Sequence, residues 1–461
     1  MLKARLSLEP LDSRDLLSVY TWTGMVSTDA ANMSNWSVMQ EMIPGQPPPP
    51  PGLPDGDDEL IFGPMAFNSR DCDNLTSATD SFATVRIQSG YNGTVALGEA
   101  LTFGVFDLAS GAIAQPTSGT DLSITGAFTW TGGTLNNTPT EAAVRLTGAV
   151  GIISAGNGNT IATGSALTLD AGANIAIGAG TVDFSNGSPL TVDNGTLTIT
   201  APANESVAFT GPEGSYIDGK AKIELKAQGN LLIRNIDFAP KNRLFVNNGG
   251  NLTIKDGARA AFGTNAIAGP IAGTPLVTDI LQNSGNIYLH SGCRLTSGHG
   301  VMELKEGKLI VVAEGGAAGT TATIGCQMTL AGGKIMFTTN TGTLKFNQDL
   351  YWLGGTVIVT VDCAANGTAD QLDIDGKLHV GGTATLSVVT VNYNAANGLG
   401  AGFQRKVIYA KKGVVNVVPN QAPSLAVQNP VGGPIFALDL RVNQNVIGDG
   451  SYWLIPGPGQ N

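Results

Sequence analysis

Short runs that alternate apolar and polar residues recur along this chain, and most of them begin with a glycine. The unit is glycine, then Thr, Asn or Lys, then an apolar residue, any residue, and a second apolar one. It stands at 93–97 (GTVAL), 180–184 (GTVDF), 195–199 (GTLTI), 229–233 (GNLLI) and 250–254 (GNLTI). Further copies are 285–289 (GNIYL), 307–311 (GKLIV), 333–337 (GKIMF), 342–346 (GTLKF) and 355–359 (GTVIV). Alternation with a period of two places one set of side chains on one side of a strand. The leading glycine supplies a turn, because it adopts positive φ at little cost. Gly229 and Gly250 stand 21 residues apart, Gly285 and Gly307 22, Gly307 and Gly333 26, and Gly333 and Gly355 22, with the copy at 342 dividing the last step. A spacing of roughly 20 to 30 residues suits one coil of a solenoid, and the shorter steps suit successive strands within a coil.

One such coil cannot bury its own inward residues; a stack of them can, at about 4.8 Å per layer. At roughly 25 residues per coil, 91–362 predicts about eleven coils and a length on the order of 50 Å. The expected fold is therefore all-β: a right-handed parallel β-helix, a pectin-lyase-like solenoid, with a capping β segment at the C-terminal end. An antiparallel sandwich array competes with it and predicts tight hairpins at Asn-Gly or Asp-Gly. Asn194-Gly195 and Asp256-Gly257 fit that alternative, whereas most copies carry other residues before the glycine. Four segments follow: 1–18, an N-terminal sorting-type motif; 19–90, an entry region; 91–362, the repeats; and 363–461, the cap. In the entry region five consecutive prolines, 47–51, cannot donate ladder hydrogen bonds and read as a stiff loop.

Composition agrees with strands that turn tightly. The 461 residues include 62 glycines, only 13% are charged and 6% aromatic, yet 42% are hydrophobic. Amphipathic helices need a charged face that this chain lacks. The net charge of -11 without clustered Lys and Arg argues against a nucleic-acid partner. No run approaches the ~20 apolar residues of a transmembrane helix. An ordinary secretory leader is also not evident, since Lys3, Arg5, Glu9, Asp12, Arg14 and Asp15 interrupt the first seventeen residues.

Several motifs carry a family resemblance. Residues 8–18 (LEPLDSRDLLS) resemble the LEPRxLL-type motif that opens large repetitive surface proteins of planctomycete-type bacteria. Thr21-Trp22-Thr23-Gly24, then Asn35-Trp36, then the acidic-to-apolar run 54–63 (PDGDDELIFG), are similar to autotransporter-associated β-strand repeats. The near-copies 128–135 (FTWTGGTL) and 350–357 (LYWLGGTV) resemble runs of the same surface proteins. The order 370–376 (DQLDIDG), 378–388 (LHVGGTATLSV) and 402–410 (GFQRKVIYA) looks like the segment that finishes an autotransporter passenger. The chain as given departs from that family after this segment. It holds no series of about ten-residue barrel strands, so export through a barrel of its own is not expected. The resemblance implies an extracellular or cell-surface scaffold, structural or adhesive, whose partners are cell-envelope polysaccharide or other surface proteins.

Chemistry is sparse. Trp130 and Trp352 are the candidates for stacking against sugars, set against a core or coil-edge tryptophan beneath a glycine pair. Asp55, Asp57, Asp58 and Glu59, and separately Asp370, Asp373 and Asp375, gather oxygens of the kind Ca²⁺ takes, though neither set follows an established loop pattern. Solvated carboxylates are the plainer expectation, and no cofactor is expected. His290, Cys293 and His299 do not match zinc-ligand spacing. Cys72, Cys293, Cys326 and Cys363 form no CxxC pair; a Cys293–Cys326 bridge between neighbouring coils and buried thiols both remain open. A polysaccharide lyase or hydrolase would need carboxylates paired on adjacent coils. Asp183, Glu224, Asp237, Glu303 and Glu306 show no common register, so no enzymatic activity is expected.

Overall fold

The computed structural model describes residues 18–40, 52–64, 71–117, 119–135, 142–156, 159–184, 190–199, 207–210, 222–225, 230–234, 237–238, 244–262, 278–297, 300–313, 321–339, 341–364, 366–393, 399, 403–417, 425–431, 433–442 and 450–456. The N-terminal motif apart from Ser18, the proline run and His299 lie outside these residues. The chain forms two compact units, 1–145 and 146–461. Among the described residues the one helical segment is a single 3-10 turn, Met33–Asn35. No helix there is long and apolar enough to cross a membrane.

In the second unit most of the glycine-led runs become the middle strand of successive three-strand coils, while those at 180–184 and 342–346 form third strands. Asn174–Ile177, Thr196–Ile199, Asn230–Arg234 and Leu244–Lys255 pair in parallel in that order. The ladder continues through Thr278–His290, Lys308–Val312, Lys334–Phe337, Thr356–Asp362 and Thr385–Val391. Its register aligns like with like. Leu231 pairs with Leu252, Leu252 with Ile287, Ile287 with Leu309, Leu309 with Ile335 and Ile335 with Val357, all buried. The residues between them face outward and are half-buried, as the alternation predicts. Each inward aliphatic side chain contributes about 1.5–3 kcal/mol by leaving water. The other two faces stack the same way, for instance Met302 on Met328 on Leu350 on Leu378, and Ile324 on Phe346 on Ile374. Parallel strands that return to stack face by face are a parallel β-helix.

The turn glycines stack as well. Gly307 (φ +76) and Gly355 (φ +71) sit in the left-handed region, and a Cβ on either would strike the carbonyl oxygen of the glycine one coil earlier, Gly285 or Gly333. Glycine is required there on both counts. Asn194-Gly195 and Asp256-Gly257 are turns between strands of parallel ladders, so the hairpin alternative does not hold. Asp193 and Asn194 donate back to Leu169 O, while Asp256 (φ 57) and Gly257 (φ 74) lead into the third strand of their coil.

Parallel stacking begins earlier than the glycine repeats. In the first unit Glu59–Phe62 pairs with Ser81–Ile87, which pairs with Leu101–Leu108. Cys72–Leu75, Thr94–Leu97 and Ala112–Ala114 stack as a second face. Ahead of them, Ser18–Trp22 pairs antiparallel with Trp36–Gln40 and parallel with Glu59–Phe62. Stacking also continues beyond 362, through Leu378–Val380 and Val414–Asn416 on one face and Thr385–Val391 and Ala426–Gln428 on another. The cap proper is antiparallel: Gly450–Pro456 pairs with both Arg405–Ala410 and Phe436–Val442.

Candidate functional site

The two tryptophan near-copies build one turn twice. Thr131 and Gly132 both donate to Leu108 O, one coil back, just as Leu353 and Gly354 both donate to Leu330 O. Gly133 and Gly355 then take positive φ, and Thr134 and Thr356 donate to Gly111 O and Gly333 O. The indoles fill the interior beside these turns: Trp130 and Trp352 are both 0% exposed. A pyranose stacks only on a ring face it can reach, so neither residue offers the sugar platform considered for it. The core tryptophan beneath a glycine pair is the arrangement present.

In both carboxylate clusters most of the side chains are engaged by the protein itself, while Asp373 Oδ1 is buried without a hydrogen-bond partner among the described residues. Asp58 is buried, and its two oxygens accept from Ser18 N at 3.2 Å and Asp55 N at 2.9 Å. Burial raises its carboxyl above the ordinary range despite these bonds. Glu59 is held by Arg86 Nε at 2.7 Å, and the same guanidinium reaches Asp107 on the next coil. Asp370 is 0% exposed and accepts from Gly342 N at 2.9 Å and Thr360 N at 2.7 Å; burial pushes its pKa up to about 7. Asp375 lies between Lys411 and Lys345, the latter at 3.2 Å, and these lysines hold it below its usual range, Lys411 most strongly. Leu372 and Ile374 fill the interior on the opposite side of that strand. No group of three His, Cys, Asp or Glu among the described residues is arranged to hold a metal ion. Cys72, Cys293 and Cys326 are buried, and Cys293 N donates to His290 O in a turn.

The carboxylates considered for hydrolysis are separated by the ladder. Glu224 and Glu303 share an outward row, but Val246 and Leu281 lie between them. Three layers at about 4.8 Å exceed the separation of either glycosidase geometry. Asp183 and Asp237 belong to strands of another face, and Glu306 is exposed in a turn.

Polar side chains on the outer surface form ladders of their own. Asn286 Nδ2 donates to Asn251 Oδ1 at 2.9 Å, and Asn251 Nδ2 to Asn230 Oδ1 at 3.0 Å. A second row runs from Asn283 to Asn248 Oδ1 at 2.9 Å and from Asn248 to Glu224 Oε1 at 2.7 Å. Nearer the C-terminal end Tyr351 stacks flat on His379 at 4.1 Å, and His379 Nε2 lies 3.2 Å from Asp349 Oδ2.

The surface richest in unlike chemistry is the outer face of the C-terminal antiparallel sheet. Cross-strand register sets Lys406, Trp453 and Asp439 in one line and Tyr409, Ser451 and Arg441 in the next. Tyr452 and Leu454 alternate inward and are buried, which turns Trp453 outward, where it is half-buried. The Arg441 guanidinium lies 4.7 Å from the centre of the Trp453 ring, and Lys406 Nζ lies 4.8 Å from that of Tyr409. Arg441 is fixed by Asp439 at 2.7 Å and by Gln404 Oε1 at 3.1 Å, and Trp453 Nε1 donates to Ser451 Oγ at 2.9 Å. Sequence reasoning missed this group. Its local signal is a tryptophan in the outward phase of an otherwise buried alternation, Ser451-Tyr452-Trp453-Leu454, but the partners come from strands well removed in sequence. No protein-family model matches this chain, and no curated protein matches it significantly.

Proposed function

We propose that this protein is a structural and adhesive scaffold, exported or displayed at the cell surface, whose partners are envelope polysaccharide or other surface proteins. The observation that carries this reading is the ladder itself. Its inward positions are spent on stacking, and many of its carboxylates are engaged by neighbouring coils or by backbone amides, as at Glu59, Glu224, Asp370 and Asp375. Groups tied up in this way stiffen the stack and are poorly placed to move protons to a substrate. The likeness of 8–18 and 370–410 to planctomycete-type surface proteins and autotransporter passengers supports the same setting.

Two measurements test the proposal. Protease treatment of intact cells should cleave the protein while cytosolic controls survive; recovery only from the cytosol refutes surface display. Incubation with pectin, alginate and neutral polysaccharides, with and without Ca²⁺, should release no products. Turnover of any of them would replace the scaffold with a polysaccharide-degrading enzyme.

A further inference from the structure

We propose that the outer face of the C-terminal sheet is a binding site for an acidic polysaccharide, one whose sugars carry carboxylates. This deepens the adhesive reading above by naming a partner, and rests on it for the setting in which such a chain is met. Four of the five tryptophans are interior: Trp22 is 2% exposed, Trp36 6%, and Trp130 and Trp352 0%. Trp453 alone is half-buried rather than buried, in the outward phase of its strand.

Charge points to the kind of partner. With the neighbouring segment 371–375 included, this sheet and its turns carry five cationic residues, Arg405, Lys406, Lys411, Lys412 and Arg441, against three anionic ones, Asp373, Asp375 and Asp439. Lys411 is engaged by Asp375, and Arg405 stands opposite the inward Leu454. In a chain of net charge -11 this is a local reversal of sign, and it favours an anion. Spacing points the same way. Lys406, Trp453 and Asp439 lie on three adjacent strands about 4.8 Å apart, a step comparable to the length of one pyranose. A glycan laid across the strands would set successive sugars over Lys406, Trp453 and the Asp439–Arg441 pair. Its carboxylates would meet the cations, its C–H faces the aromatic rings, and its hydroxyls Asp439, Ser451 and Gln404. A single-stranded nucleic acid would meet the same cations and rings, and is the competing outcome of the test below.

Affinity electrophoresis of the full chain through gels containing alginate, polygalacturonate or dextran tests the site. The two acidic polymers should retard the protein, dextran should not, and added salt should weaken the effect. The K406Q/R441Q double variant should bind the acidic polymers about tenfold more weakly or less, with an unchanged melting temperature. Trp453→Ala should also weaken binding, and Trp453→Tyr should restore part of it. The proposal is overturned if neither acidic polymer binds, if dextran binds equally, or if K406Q/R441Q binds as wild type does. Tighter binding of single-stranded DNA than of alginate would overturn it in favour of a nucleic-acid site. All readouts use purified protein, so a failure here is separate from a failure of surface display.

Discussion

The two compact units use the same stacked coil and fill it differently. Residues 18–145 pack rings. Trp22 meets Trp36 edge-on at 4.9 Å, Trp36 meets Phe62 at 5.9 Å, and Phe62 meets Tyr91 at 5.7 Å. Phe82, Phe103, Phe106 and Phe128 continue as a second chain of rings. Residues 146–461 instead stack Ile, Leu and Val in columns, with fewer rings among them. Aliphatic columns are tolerant, since each side chain meets a similar one at a fixed layer spacing. Ring clusters are not, because each contact depends on an interplanar angle. Their polar fittings differ too. Asn35 is 0% exposed and spends its whole amide in one turn, accepting from Val26 N and Ser27 N and donating to Ser27 Oγ and Asp29 O. The outer asparagines of the second unit instead pass hydrogen bonds from coil to coil.

The sharpest way to break this comparison is a cavity in each core. Trp130→Ala should cost about 3–5 kcal/mol and Leu309→Ala about 2–5 kcal/mol. Leu309→Met should cost under about 1.5 kcal/mol, whereas Phe103→Leu should cost more, because it removes two ring contacts. Urea unfolding measures all four, and equal losses for the two conservative changes would remove the distinction.

Asp58 and Asp370 offer a comparison through pH, as each bridges two backbone amides from a buried position. For Asp370 the folded state holds the proton more tightly than the unfolded chain. The stability it contributes is fully present below pH 3.8, drains as pH rises, and is gone above about 7. The difference is on the order of 4 kcal/mol. Asp370→Asn should flatten that part of the stability profile while losing about 1–3 kcal/mol from one mismatched amide. A profile unchanged by the substitution would show that Asp370 does not titrate in this range.

Smaller effects are expected outside. Asn251→Ala breaks two ladder bonds and should cost about 1–2 kcal/mol, read by urea unfolding. Arg86→Met should cost under about 1 kcal/mol, since its two ion pairs are part-exposed. The Arg86 loss should shrink further in high salt and the Asn251 loss should not. Equal salt sensitivity would contradict the contrast between ionic and amide fittings.

Much of the fold was legible in one dimension. A glycine followed by alternation is a local instruction, and nearly every copy became a strand with its apolar residues buried, because turn geometry and side-chain direction depend on near neighbours. The limits of the stack were less legible. The early coils at 59–62 and 81–87 lack the leading glycine, and 371–391, whose sequence groups it with the cap, continues the ladder. The candidate site was hardly legible at all: the motifs around Trp130 and Trp352 mark a turn whose indoles are buried, not a surface.

The sequence by itself determined strand identity, inward phase and turn positions. Only the tertiary structure decided that Asp370 joins Gly342 to Thr360, that Asp375 lies between Lys345 and Lys411, and that Trp453 emerges beside Arg441 and Lys406. Those outcomes depend on which distant strand pairs in which register, including the bulge between Lys406 and Ile408. Which distant strands meet is fixed by the energy of the whole stack, which no single segment encodes.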